Sequence, residues 1–226
     1  KVIPGMKELF LLGKAFNLER ELDRKGQPRW DMIIVDAPAT GHGVSLLRLP
    51  QVILEVIKSG PMADEVREMK RLLEDPERTV INLVTLAEEM PVRETLELQK
   101  QVDSILHIPK GLLLVNQVWP DALPQSDLSL LSTLEAQESS DERVQKALNC
   151  VGLFTRRRQL QERYIEELDA KVDMPRIHLP YLFEERFDFE QISMLSDHIC
   201  DKANHLRRGG DSGQAEPLQT PQGTTT

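Results

Sequence analysis

The sequence predicts an α/β fold: a doubly wound, mostly parallel sheet with flanking helices. Two observations lead to this prediction. Short apolar runs rich in β-branched residues alternate with longer segments whose apolar residues recur at helical spacing. In addition, several of the short runs end in a polar residue followed by turn-forming residues. Strands that alternate with helices pair in parallel through right-handed crossovers, and ligands of such sheets bind beyond the carboxyl ends of the strands.

The elements follow in chain order. An amphipathic helix is predicted from Pro4 to about Gly26, because proline favours a helix start and glycine a helix end. The apolar run Trp30–Asp36 then predicts a strand buried on both faces. A helical pattern extends from Val44 to Leu73, with breaks expected near Pro50 and Gly60.

The second half repeats the alternation. Three further runs predict strands, the last of them short: Thr79–Leu86, Gly111–Gln117 and Pro175–Pro180. Three further segments predict helices: Pro91–Ile105, Asp141–Lys171 and Phe189–Leu206. We therefore expect one domain over residues 1–205, with a short helical insert at 51–78, and a disordered Gly, Ser, Gln, Pro and Thr-rich tail at 206–226.

Composition narrows the classes of function. Asp and Glu outnumber Lys and Arg by 37 to 28, which gives a net charge of -9 and argues against binding to nucleic acid or an anionic membrane. No apolar run approaches the roughly 18 residues that a membrane helix needs, and the amino terminus does not resemble a signal peptide. Cys150 and Cys200 are isolated in sequence, so they predict neither a zinc site nor a disulfide framework. We expect a cytoplasmic protein without direct membrane insertion.

The residues after the first predicted strand carry the most chemical information. Asp36 stands at the carboxyl end of that strand, where a carboxylate can hold the hydration shell of Mg²⁺ beside a nucleotide. Ala37, Ala39, Gly41 and Gly43 would allow backbone N–H groups to approach a phosphate. Taken alone, Asp36 reads equally well as a helix cap or a turn residue.

This segment, D-A-P-A-T-G-H, resembles the switch II signature of the arsenite-pump and tail-anchored-protein-targeting ATPases, usually written D-T-A-P-T-G-H. Asp36, Thr40, Gly41 and His42 stay in register, whereas the Ala and Pro between them are arranged differently. The resemblance implies a P-loop NTPase-like fold that uses ATP and Mg²⁺, with Asp36 as the catalytic, metal-linked carboxylate. It implies that Thr40, Gly41 and His42 contact the nucleotide, although a histidine beside glycines also commonly satisfies a backbone carbonyl.

A second signature follows in the right order. The run G-L-L-L-V-N-Q resembles the family's strand ending in V-N-Q, which implies that Asn116 reads the adenine edge, with Gln117 beside it. An amide offers a donor and an acceptor that match adenine. The alternative for Asn116 is a side chain that closes the strand by an Asx turn.

Two weaker matches complete the set. Aligning T-L-A-E-E-M-P-V-R-E-T with the family places its nucleotide-contacting carboxylate at Glu88, with Glu89 as the neighbouring alternative. Both residues also suit the start of a helix, where the dipole favours acidic side chains. In H-L-P-Y, the resemblance implies that Pro180 and Tyr181 form a wall against the base, although they would equally cap the sheet.

The family's phosphate-binding loop, G-x-x-x-x-G-K-[ST], does not occur in the 226 residues. We therefore expect the chain to be the carboxyl-terminal part of an ATP-hydrolysing switch that does not hydrolyse ATP by itself. The resemblance implies ATP and ADP as ligands, a homodimer or a pseudo-dimer with a related domain, and a membrane-protein client. Two alternatives remain: a degenerate, non-catalytic binding module of the same fold, or a positioning ATPase like those of the septum and nucleoid.

Overall fold

The computed structural model describes residues 6–38, 40–121, 124, 127–135 and 141–208. The chain divides into two compact units. Unit 1 comprises Lys1–Asn82 and Glu94–Gly111, and unit 2 comprises Leu83–Arg93 and Leu112–Thr226. The single domain predicted for residues 1–205 stays a prediction.

Unit 1 is mainly helical. Its helices are α1 (Met6–Glu19), α2 (Thr40–Val56), α3 (Pro61–Glu74) and the last eight residues of α4 (Glu89–Gln101), which continues as a π-helical turn (Val102–Leu106). The buried side chains of Val102, Leu106 and Ile108 form its core, and four partly buried apolar side chains pack against them: Leu47, Leu73, Ile81 and Leu98. The apolar spacing of α2 and α3 is thus explained by their packing in this core.

A three-stranded parallel sheet supplies the α/β character of the fold. The strands are β1 (Ile81–Leu86), β2 (Lys110–Val118) and β3 (Arg176–Pro180), in the order β1-β2-β3. Leu113 lies opposite Arg176, and Val115 lies opposite His178. These strands confirm three of the four predicted apolar runs, and with their flanking helices they confirm the predicted fold class.

Unit 2 holds most of the sheet and three helices: α5 (Leu128–Glu135), α6 (Glu142–Lys171) and α7 (Phe189–Arg208). Asp141 caps α6, since its side chain accepts a hydrogen bond from the Arg143 backbone N–H. Buried apolar side chains of β2, β3 and α6 make the core, namely Leu113, Val115, Leu168 and Ile177, each at most 2% exposed. Buried residues alternate with half-buried ones, Leu113 and Val115 in β2 and Ile177 and Leu179 in β3, so one face of each strand is buried more deeply than the other.

The strand predicted at Trp30–Asp36 is wrong. Residues 32–38 have no regular secondary structure, and Met32 and Ile34 are 75% and 85% exposed. A β-strand is held by hydrogen bonds to a neighbouring strand, and no described segment pairs with this one. The apolar pattern therefore identified side chains suited to burial, but the described residues provide no strand to pair with them.

Several helix boundaries also differ from expectation, and α1 ends at Glu19 instead of about Gly26. The break expected near Pro50 is absent, because α2 continues through this buried proline to Val56. Helix α5 was not predicted, and α2 begins at Thr40 instead of Val44. Helix α7 ends at Arg208, and residues 209–226 lie outside the described residues, so the disorder of the tail stays a prediction. No helix in the described part of the chain is long and apolar enough to cross a membrane.

Candidate functional site

The carboxyl end of β2 departs from regular strand geometry at Asn116 and Gln117. Between Val115 and Val118, β2 contains one residue more than β3, which forms a bulge. Gln117 has a φ of 56°, in the left-handed region, and its N–H donates a hydrogen bond of 2.9 Å to the Asn116 side-chain oxygen. The bulge leaves Asn116 half-buried and Gln117 exposed at the end of the strand.

The end of β3 lies against this bulge. The Tyr181 backbone N–H donates to the Val118 carbonyl at 2.8 Å, and Pro180 lies opposite Val118 in the sheet. The structure thus brings together four of the predicted site residues, Asn116, Gln117, Pro180 and Tyr181, at the carboxyl ends of two neighbouring strands.

Four aromatic side chains pack beside these strand ends. The Trp119 ring centroid lies 4.6 Å from Phe154, 5.5 Å from Tyr181 and 5.4 Å from Phe183. Phe183 also lies 4.6 Å from Tyr181 and remains 53% exposed. We call Trp119, Phe154, Tyr181 and Phe183 the aromatic cluster. Centroid distances of 4.5–7 Å are typical of favourable aromatic pairs, so the cluster stabilises the loops that follow β2 and β3.

Glu88 connects to the same cluster from the carboxyl end of β1. Its backbone N–H donates to the Leu86 carbonyl at 2.8 Å, which turns the chain from β1 into α4. Its carboxylate forms an ion pair with Arg157, and the Arg157 guanidinium lies 5.7 Å from the Trp119 ring centroid. The neighbouring carboxylate, Glu89, instead pairs with Arg93 along α4 at 2.8 Å. Glu88 is therefore the acidic residue that faces the aromatic cluster.

The remaining predicted site residues belong to unit 1. Asp36 is exposed in the irregular segment before α2, and Ala39 lies outside the described residues. Thr40, Gly41 and His42 form the first turn of α2, with Gly41 and His42 exposed. Helix N-termini favour anions, so this turn is suited to a phosphate.

Gly43 is required by a close approach within this segment. A Cβ at this position would lie 2.7 Å from the Pro38 carbonyl oxygen. Gly41 has no atom within 4 Å of the corresponding position. The glycine at position 43 therefore allows residues 36–38 to fold over the first turn of α2.

Sequence reasoning missed the residues that support the strand ends from α6. Phe154, Arg157 and Gln161 recur along α6 at helical spacing, and each contacts the segment after β2 or a residue beside it. This i, i+3, i+7 pattern was readable in the sequence, but its partners became visible only in the fold. Residues of β3 and α7 add a second buried contact, in which the His198 ring nitrogen Nε2 lies 2.8 Å from the His178 carbonyl oxygen.

His178 has the best-resolved electrostatic perturbation of unit 2. Burial lowers the pKa of His178, and Arg158, Arg176 and Lys202 act in the same direction against the opposing charge of Asp169. Its ring nitrogen Nε2 is buried and makes no hydrogen bond with the described residues. The lowered pKa favours the neutral form of this partly buried imidazole, and we assign it no chemical role.

Comparison with known proteins agrees with these observations. The family model for anion-transporting ATPases matches residues 58–148. The putative ATPase Mb3704 of Mycobacterium bovis and the ATPase BagA of Mycobacterium tuberculosis are each 30% identical to the chain over 217 residues. Over residues 58–148 the chain is similar to the anion-transporting ATPases. The match to each of these relatives covers 89% of this chain and 62% of the relative, so the chain spans less than two thirds of their length.

The anion-transporting ATPase match covers part of the candidate site. Residues 58–148 include Glu88, Asn116 and Gln117. Asp36 to His42 lie before this range, and Pro180 and Tyr181 lie after it. The match thus bears directly on the ends of β1 and β2, while the contacts of Tyr181 with Val118 and Trp119 connect β3 to them.

Proposed function

We propose that this protein is part of an ATP-hydrolysing molecular switch and that the carboxyl ends of β1, β2 and β3 bind the adenine base. One observation carries the proposal. Glu88, Asn116 and Tyr181, three residues selected from sequence motifs, lie at or just after the carboxyl ends of β1, β2 and β3 in unit 2. Contacts through Arg157 and Trp119 connect Glu88 to Tyr181. Ligands of α/β sheets bind at this edge.

The side chains at this edge fit a purine. Asn116 keeps its N–H₂ group and one oxygen lone pair for a ligand, because only one bond to its oxygen is made by Gln117. Adenine requires one donor and one acceptor side by side, which an amide supplies. Pro180 and Tyr181 offer an apolar surface next to Asn116, against which a base is able to stack.

The first turn of α2 and the segment before it, both in unit 1, fit a phosphate group and its magnesium ion. The exposed Asp36 carboxylate is suited to hold Mg²⁺ through water, since Mg²⁺ in nucleotide enzymes keeps several waters and needs only one or two protein carboxylates. When bound, Mg²⁺ neutralises charge on the phosphates. Thr40, Gly41 and His42 would direct the positive end of α2 toward a phosphate. Residues 36–42 are then the switch whose order depends on the phosphate.

The proposal extends to partners and location. We propose that nucleotide binding controls association with a second subunit or a related domain, and that this association in turn changes the affinity for a membrane-protein client. The names of the relatives, which are called ATPases, support the nucleotide but name no client. We also propose a cytoplasmic location, supported by Cys150 and Cys200, which are both exposed thiols.

The deciding experiment measures ATP hydrolysis by the full-length protein and its Asp36→Asn variant. Loss of a charge that stabilises the transition state costs about 10²–10³ in rate, so we expect hydrolysis to fall by at least that factor while Mg²⁺-free ATP binding persists. Asp31→Asn is the matched control, because Asp31 is exposed in the same segment. Full activity in Asp36→Asn would contradict the assignment, and ATP binding without hydrolysis in the unaltered protein would favour the non-catalytic binding module.

A further inference from the structure

The bulge at the end of β2 is held in a costly backbone conformation. Gln117 is not glycine, yet its φ is 56°. Such a residue costs about 1–3 kcal/mol and persists only where the surrounding structure fixes it. The residue that bears this conformation directly follows Asn116, the proposed base reader.

A buried side chain of α6, Gln161, holds the bulge through two hydrogen bonds. The Gln161 oxygen Oε1 accepts a hydrogen bond of 2.8 Å from the Trp119 backbone N–H, and its nitrogen Nε2 donates one of 2.9 Å to the Gln117 carbonyl. Gln161 is only 3% exposed. One amide therefore binds the backbone on both sides of Val118, and it satisfies two groups that the bulge removes from the sheet.

The clamp on Gln117 sets the orientation of the Asn116 amide. The carbonyl and the N–H of Gln117 belong to successive peptide units that are joined at its Cα. With the carbonyl held by Gln161 and φ at 56°, the preceding peptide unit directs its N–H toward the Asn116 oxygen. A donor at that point selects the oxygen of the Asn116 amide and turns its N–H₂ group away from Gln117. The order of donor and acceptor that Asn116 presents to a ligand is thereby fixed.

We propose that Gln161 is a positioning residue that sets the preference for adenine over guanine through Gln117 and Asn116. This inference rests on the proposed function. On the edge that carries N1 and the 6-substituent, adenine presents a ring acceptor and an amino donor, whereas guanine presents a ring N–H donor and a carbonyl acceptor. A fixed amide therefore discriminates between the two bases, and a freely rotating one does not. Gln161 is buried and both ends of its side chain are used by the backbone, so it acts without touching the nucleotide.

The test compares ATP and GTP affinities of the full-length protein by calorimetry. Gln161→Met has the same length but makes neither hydrogen bond, and Gln161→Glu accepts from Trp119 but no longer donates to Gln117. Gln159→Met is the matched control, since Gln159 lies on the same helix with an exposed side chain. We expect the ATP-to-GTP affinity ratio to fall about tenfold in both Gln161 variants, because both lose the bond to the Gln117 carbonyl and a good bidentate base contact discriminates by about that factor or more. The ratio should stay unchanged in Gln159→Met.

A double variant separates positioning from general damage. In an Asn116→Leu background the base reader is gone, so adding Gln161→Met should leave the ATP-to-GTP ratio unchanged. An unchanged ratio in both Gln161 variants of otherwise intact Asn116 protein overturns the inference and leaves the nucleotide site standing. Equal affinity of the unaltered protein for ATP and GTP also overturns it, whereas absence of any nucleotide binding refutes the proposed function itself.

Discussion

Replacing Gly43 by alanine tests how the segment before α2 is folded. The added Cβ would lie 2.7 Å from the Pro38 carbonyl oxygen, which belongs to the backbone and cannot swing aside. Overpacking of this kind costs about 1–3 kcal/mol. Replacing a helical glycine by alanine also gains up to about 1 kcal/mol in helix propensity, so the net loss for Gly43→Ala is smaller than the steric term.

A matched variant isolates that steric term. Gly41→Ala gains the same helix propensity in the same turn, but nothing lies within 4 Å of its new Cβ. The difference in unfolding free energy between the two variants should therefore be about 1–3 kcal/mol, with Gly43→Ala the less stable. Urea denaturation of both variants measures it, and equal m-values check that the unfolding reaction is the same. A difference below about 0.5 kcal/mol would refute the close approach of Pro38 to α2.

Three further predictions concern unit 2. Gln117→Val should lower the unfolding free energy by about 1–3 kcal/mol, because a β-branched residue is strained at positive φ, whereas Gln117→Gly should not lower it. Urea denaturation of the two variants measures the difference. Equal stability of the two variants would argue against a left-handed backbone at Gln117. Arg157→Met should lower the unfolding free energy by no more than about 1 kcal/mol in the same assay, because the side chains of its ion pair with Glu88 are 45% and 42% exposed. A decrease above about 3 kcal/mol would mean that the ion pair is buried. Burial lowers the pKa of His178, so between the folded and unfolded pKa values the imidazole is protonated in the unfolded chain and neutral in the folded chain. The stability that the neutral imidazole contributes is fully present above the unfolded pKa and is lost as the pH falls below that value, through the lowered pKa of the folded state. In His178→Phe this part of the pH dependence should be absent. Thermal unfolding of both proteins is measured at pH values above and below the ordinary histidine pKa. Equal slopes of stability against pH in the two proteins would contradict the prediction.

The sequence predicted those elements whose signal is local. The runs that became β1, β2 and β3 are short and apolar, and the long helix α6 has its cap at the predicted Asp141. The predicted strand Gly111–Gln117 ends one residue before β2 does, so Asn116 and Gln117 lie at the strand end that the pattern predicted. These inferences needed only the residue pattern and the rule that ligands bind at the carboxyl ends of parallel strands.

The predictions that were wrong or missing concern elements that depend on their tertiary neighbours or have a weak local signal. Residues 30–36 carry a strand pattern, but pairing requires a neighbour that no local pattern reveals. Pro50 usually ends a helix, yet its buried position in α2 shows that packing outweighs the lost hydrogen bond. Helix α5 contains two serines and a threonine in eight residues, so its propensity signal was weak.

The supports of the candidate site were hidden for a similar reason. The bulge at Gln117 comes from one extra residue in β2 relative to β3, and strand register is not visible in either sequence alone. Gln161 lies 44 residues after Gln117, so their hydrogen bond depends on how α6 packs. The resemblance to a family indicated the residues at the strand ends, whereas only the fold shows that Gln161 of α6 holds the end of β2.

Photolabelling tests the central claim most directly. The full-length protein is irradiated with Mg²⁺ and 8-azido-ATP, which carries the reactive group on its base, and the labelled peptides are identified by mass spectrometry. The account predicts labelling within residues 116–121 or 180–183, suppressed by excess ATP and weakened in Asn116→Leu. Labelling confined to other segments, or labelling that excess ATP does not suppress, would contradict a base-binding site at the carboxyl ends of β1, β2 and β3.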